Sequence, residues 1–184
     1  MLKSLSGKGV STLHIATHGF YNEEPAGNVD LNKTLNGEDK ALHRSGLLMA
    51  GAGNDVYDFD SPIDDGLLTA AEIAPLDFRG LDLVSLSACQ TALGDISSDG
   101  VMGLQRGFKK AGAESILMSL YKVNDFATQL FMTEFYRSLT DGATKLQSLA
   151  AARRCLADYV DTDGNRPFNT PFHLNAFILL DALD

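Results

Sequence analysis

Hydrophobic positions along this chain fall into short runs divided by polar stretches. Leu13-His14-Ile15-Ala16-Thr17-His18-Gly19-Phe20 is one such run, predicting a strand that starts at Ser11 or Thr12 and ends in His18-Gly19. Leu81, Leu83, Val84 and Leu86 form another, too short for a helix and followed by small residues. It predicts a buried strand running into a tight turn. Glu114 to Leu120 and Leu174 to Leu180 predict two more strands.

Helical spacing appears between them. Thr69-Ala70-Ala71-Glu72 fits a capping box opening a short helix that stops by Pro75. Ser97-Ser98-Asp99-Gly100 caps a helix with Val101, Leu104, Phe108 and Ala111 on one face, and Gly112 stops it. Asn124 or Asp125 caps a longer helix striped by Ala127, Phe131, Phe135 and Leu139. A last helix carries Leu149, Ala152, Leu156 and Val160. Strands alternating with helices indicate a mostly parallel sheet covered on both faces.

The stretch from Tyr21 to Asp65 turns polar, with one apolar island at Leu47-Leu48-Met49-Ala50. It reads as two long loops around a short strand or hairpin. Asp55, Asp58, Asp60, Asp64 and Asp65 cluster there without calcium-loop spacing, and Asp161-Thr162-Asp163-Gly164-Asn165 lacks the later glutamate such a loop requires. Both read as solvated turns.

Composition narrows the class. The 184 residues suit one domain, and 45% hydrophobic with 21% charged residues is ordinary for a globular chain. A net charge of −9 argues against a nucleic-acid surface and favours a basic partner or substrate. There is no apolar run long enough to span a membrane and no signal-peptide pattern at the start, so the expected location is cytoplasmic. Cys89 and Cys155 are then expected as free thiols. The polar opening from Met1 to Gly9 is a poor start for an α/β domain and suggests a C-terminal fragment of a longer protein.

Candidate chemistry sits at strand ends. In an α/β fold, residues at the carboxyl ends of parallel strands border the crevice where ligands bind. One run delivers His18 there and the other delivers Cys89, the minimum apparatus of a cysteine nucleophile and its base. The backbone N–H groups of Gly19 and Cys89 are candidates for an oxyanion hole. A cysteine after a strand is also an ordinary small core residue, and a lone histidine an ordinary hydrogen-bonded one. His14 is read as a satisfied structural histidine and Cys155 as a packed helix residue. No third ligand at suitable spacing suggests a zinc site.

These residues resemble a known family. Leu13-His14-Ile15-Ala16-Thr17-His18-Gly19-Phe20 and Leu86-Ser87-Ala88-Cys89-Gln90-Thr91-Ala92-Leu93-Gly94 are similar to the two principal blocks of the CHAT domain. That family is a caspase-like module in the cysteine peptidase clan of caspases, separase and gingipains. Ser45-Gly46-Leu47-Leu48-Met49-Ala50-Gly51, Asp65-Gly66-Leu67-Leu68-Thr69-Ala70, Gly103-Leu104-Gln105-Arg106-Gly107-Phe108 and Ser119-Leu120-Tyr121-Lys122-Val123-Asn124-Asp125 also agree, in order, over nearly the whole chain.

The resemblance implies a caspase-like three-layer α/β/α sandwich with a mostly parallel sheet, here a single CHAT domain over residues 1–184. It implies a cysteine endopeptidase with Cys89 as nucleophile and His18 as base, needing no cofactor. Where the family has Trp this chain has Tyr121, and where it often has Asp this chain has Asn124; both positions border the substrate pocket. In separase, an acidic residue in the matching block meets a basic substrate side chain, which places Asp125 as a reader of arginine or lysine. Family members commonly follow tetratricopeptide repeats and have a strand or more before the histidine block, implying an upstream repeat domain or activating partner; without those strands, low or no activity is expected of residues 1–184 alone. A latent, inactive interaction module on the same fold stands as the alternative.

Overall fold

A computed structural model of the chain describes residues 2–21, 42–50, 66–87 and 98–181. Its strands in chain order are β1 (Thr12–Ile15), β2 (His18–Tyr21), β3 (Ser45–Leu48), β4 (Leu67–Thr69), β5 (Leu83–Leu86), β6 (Ser115–Ser119) and β7 (Phe177–Leu180). Its helices are α1 (Ala70–Ile73), α2 (Ser98–Ala111), α3 (Asp125–Thr140), α4 (Lys145–Asp158) and α5 (Pro171–Leu174).

The central sheet runs β1-β5-β6-β7. β1 pairs with β5 and β5 with β6 in parallel, while β7 returns antiparallel to β6. All of β5 is buried, as a strand covered on both faces must be. The alternation of its side chains divides them between two cores. Val84 and Leu86 join Ile116, Met118, Leu104 and Phe108 on the side of α1 and α2. Leu83 joins Leu117, Phe131, Phe135, Leu149 and Leu156 on the side of α3 and α4. The result is the three-layer α/β/α sandwich that the sequence predicts, with a mostly parallel sheet.

Local chemistry fixes the helix ends. The Thr69 hydroxyl accepts from the Glu72 N–H while the Glu72 carboxylate accepts from the Thr69 N–H, completing the capping box of α1. Gly112, at φ +105°, follows the end of α2 in a backbone conformation that other residues rarely adopt. Lys145, at the start of α4, is buried and pairs with Asp82 at 2.6 Å, joining that helix to the entry of β5.

Three expectations need correction. The run from Leu13 to Phe20 is not one strand. β1 ends at Ile15, opposite Leu86, and the chain re-pairs from His18 in a separate antiparallel sheet, β2-β3-β4. The Thr17 hydroxyl donates to the Leu48 carbonyl at the crossing point, so the break is held by long-range pairing that periodicity does not encode. Val160 is not in the buried stripe of α4; the helix stops at Asp158 and Val160 is exposed. Leu174 belongs to α5, capped by Thr170 with Pro171 in its first turn, so β7 begins at Phe177. The acidic cluster from Asp55 to Asp65 lies outside the described residues.

Candidate functional site at the carboxyl edge of the sheet

Three segments leave the central sheet along one edge. β1 runs parallel to β5, with Ile15 opposite Leu86, and the Ser87 N–H donates to the Ile15 carbonyl at 3.2 Å. Residues 16–18, leading to His18, therefore depart beside Ser87, two positions before Cys89. Cys89 itself lies outside the described residues. β6 runs parallel to β5 on its other side, so Tyr121, Asn124 and Asp125 follow it at the same edge. Adjacent strands lie about 4.8 Å apart, which puts β1 and β6 about 10 Å from each other.

His18 is exposed and begins β2, its backbone opposite Leu48. Gly19 is buried within that strand, opposite Leu47, rather than at a strand's end. Close packing holds β2 in place: a Cβ on Gly46 would come within 2.6 Å of both the Leu68 carbonyl oxygen and the Phe20 ring. Only glycine lets β3 lie this close to its neighbours.

Past β6, the structure gives each residue a distinct task. The Tyr121 hydroxyl donates to the Phe172 carbonyl at 2.6 Å, and the two rings stack with centroids 4.7 Å apart. Asn124 is the N-cap of α3: its side-chain oxygen accepts from the N–H groups of Phe126 at 2.9 Å and Ala127 at 3.2 Å. Asp125 is the first helical residue and is exposed.

At this edge His14, exposed and read from the sequence as a satisfied structural histidine, joins a polar cluster whose other members that reading did not single out. His14 Nε2 and Ser87 Oγ are hydrogen-bonded at 3.0 Å. The His14 ring stacks on Tyr136 of α3, centroids 5.5 Å apart, and the Tyr136 hydroxyl donates to Ser85 Oγ at 2.7 Å. Partial burial lowers the His14 pKa below its ordinary value, favouring the neutral imidazole. Burial raises that of Tyr136, outweighing the opposing bond to Ser85. The signal was present in the sequence: Ser85 and Ser87 stand two apart at the end of an apolar run, a spacing that puts both on one side of extended chain at and just past the end of β5.

Cys155 is a free thiol on α4, its pKa raised first by burial and then by Glu134. Among the described residues no cluster of His, Cys, Asp and Glu is arranged to hold a metal ion, and no helix is long and apolar enough to cross a membrane.

The family model of the CHAT domain matches residues 1–176. The chain belongs to the CHAT domain family. Tetratricopeptide repeat protein 28 of Mus musculus is 34% identical to it over 122 residues, covering 66% of this chain and 5% of that protein. The Homo sapiens protein of the same name is 31% identical over 121 residues, with the same coverage of 66% and 5%. This CHAT domain thus spans about 5% of the length of the curated relatives it matches. Every residue singled out at the carboxyl edge, from His14 to Asp125, lies within the span matched by the family.

Proposed function

We propose that this CHAT domain is a cysteine endopeptidase working through Cys89 and His18. The observation that carries the reading is the parallel pairing of β1 with β5, Ile15 against Leu86. It sends the chain toward His18 and the chain toward Cys89 out of the sheet from neighbouring strands at one edge.

In this mechanism the Cys89 thiol gives its proton to His18, and its sulfur attacks the carbonyl carbon of the scissile peptide bond. The carbonyl oxygen gathers negative charge, facing the Gly19 and Cys89 N–H groups. As the C–N bond breaks, His18 returns the proton to the leaving amine. Water, deprotonated by His18, then hydrolyses the thioester and releases the acid and the free thiol. A thiol suits this role because its ordinary pKa, about 8.5, lies within reach of activation near neutral pH. The steps use the chain's own side-chain and backbone groups with water and require no cofactor.

The proposal extends to the substrate. Asp125, exposed at the same edge, supplies a carboxylate able to hold arginine through two parallel hydrogen bonds, or lysine through one. The net charge of −9 also favours a cationic substrate. Tyr121 and Asn124 shape and support the wall that carries it. The domain is proposed to act in the cytoplasm, within a longer protein bearing tetratricopeptide repeats, as the names of the matched relatives suggest.

A peptide library incubated with the full-length protein that carries this domain tests this reading. Cleavage that requires Cys89 and favours arginine or lysine on the acyl side of the cut bond is the expected result. A domain that cleaves nothing, with a Cys89 thiol no more reactive than free cysteine, would instead favour the latent interaction module.

A further inference from the structure

Two bonds pin Ser87 to β1. Its N–H donates to the Ile15 carbonyl, and its hydroxyl is bonded to His14 Nε2. The first continues the sheet ladder, but the second uses a side chain that alternation alone would not require. His14 is in turn fixed by its neighbours. Its ring rests on Tyr136, and the Tyr136 hydroxyl is tied to Ser85, the residue opposite His14 in the β1–β5 register. Ser85 is fully buried, and Tyr136 projects from α3 among the core aromatics, in edge contact with Phe135. The imidazole is thus held between a packed helix and the last described residue before Cys89.

We propose that His14 is a positioning residue for the dyad: through Ser87 it holds the end of β5 against β1, the two strands that lead in sequence to Cys89 and His18. This rests on the cysteine peptidase reading. His14 itself touches neither substrate nor sulfur in this role. What recommends it is the economy of the path, since one side chain bridges the strand leading to the base and the strand leading to the nucleophile. Effective catalysis requires reacting groups held close to their productive geometry, and a displacement of about 1 Å costs about a hundredfold in rate.

The test measures alkylation of Cys89 by iodoacetamide across pH, in a Cys155→Ala background where Cys89 is the sole cysteine. With His14 intact, the thiol should react as an activated thiolate, with an apparent pKa below that of free cysteine. His14→Leu should slow the neutral-pH reaction by about tenfold or more and move the profile toward that of free cysteine. His14→Gln, whose side-chain amide can reach the Ser87 hydroxyl, should restore most of the rate. Ser87→Ala removes the same bond with a minimal change of volume, and it carries the test if His14→Leu fails to fold. Thermal unfolding of each variant separates positioning from stability: a structural role would lower the melting temperature while leaving the folded thiol as reactive as before. Unchanged alkylation in folded His14→Leu or Ser87→Ala, or a His14→Gln as slow as His14→Leu, would overturn the proposal. A thiol as slow as free cysteine with His14 intact would overturn the peptidase reading, and the positioning role with it.

Discussion

Asn124 caps the helix that Asp125 begins, its side-chain oxygen accepting from the Phe126 and Ala127 N–H groups. The sequence allowed either residue to be the cap. Because Asn124 takes that task, the carboxylate of Asp125 is not needed to close the helix. The two roles can therefore be separated by mutation. Asp125→Asn should sharply reduce cleavage after arginine and lysine while the melting temperature stays nearly constant. Asn124→Ala should cost about 1 kcal/mol of stability in denaturant unfolding. Unchanged preference for basic residues in Asp125→Asn would remove Asp125 from the pocket.

The proposed dyad makes a steeper demand. Cys89→Ala should abolish turnover, and His18→Ala should cost at least about 10³ in kcat/KM, because nucleophile and base act as one unit. Cys155→Ala should be nearly neutral, since that thiol lies on α4, in the layer away from β2. Steady-state kinetics on a fluorogenic arginyl peptide would decide. Full activity in Cys89→Ala ends the peptidase proposal.

Packing beside the site is equally exposed to test. Gly107 of α2 faces α1 so closely that a Cβ there would stand 2.8 Å from the Ala70 carbonyl oxygen and 3.2 Å from the Ala70 Cα. The obstacle is backbone, which gives way only if the whole of α1 shifts. Gly107→Ala should therefore destabilise by about 1–3 kcal/mol despite the higher helix propensity of alanine. A stabilised variant, as propensity alone would give, would show that α1 moves freely.

Much of this architecture was legible in the chain because it depends on neighbours in sequence. Thr69 and Glu72, three residues apart, specify a capping box wherever they fall, and Gly112 ends α2 by its own backbone freedom. The β5 run is apolar because both its faces are covered. The second sheet was hidden because its pairings join distant segments: Gly46 lies opposite both Phe20 and Thr69. No local pattern says that the chain changes sheets between Ile15 and His18. The same holds for the cluster at the edge. His14 looks like any core histidine until the register sets it opposite Ser85, beside Ser87, and α3 lays Tyr136 across it.

That cluster also predicts how stability follows pH. Burial lowers the His14 pKa below its ordinary value of 6.5, so the folded chain resists the proton that the unfolded chain accepts. Between the lowered folded value and 6.5 the unfolded state binds more protons, and unfolding free energy rises with pH there. The contribution is fully present above the unfolded pKa and is lost as pH falls through the folded one. Tyr136, with its pKa raised above 10.0, and Glu72, held below 4.5, titrate outside this window. His14→Gln removes the titrating group while keeping a donor toward Ser87, so its difference from the parent isolates the effect. Urea unfolding of both chains from about pH 8 to about pH 5 should show the parent losing stability relative to the variant on acidification. A difference that stays flat across that range would mean that His14 is as easily protonated in the folded chain as in the unfolded one.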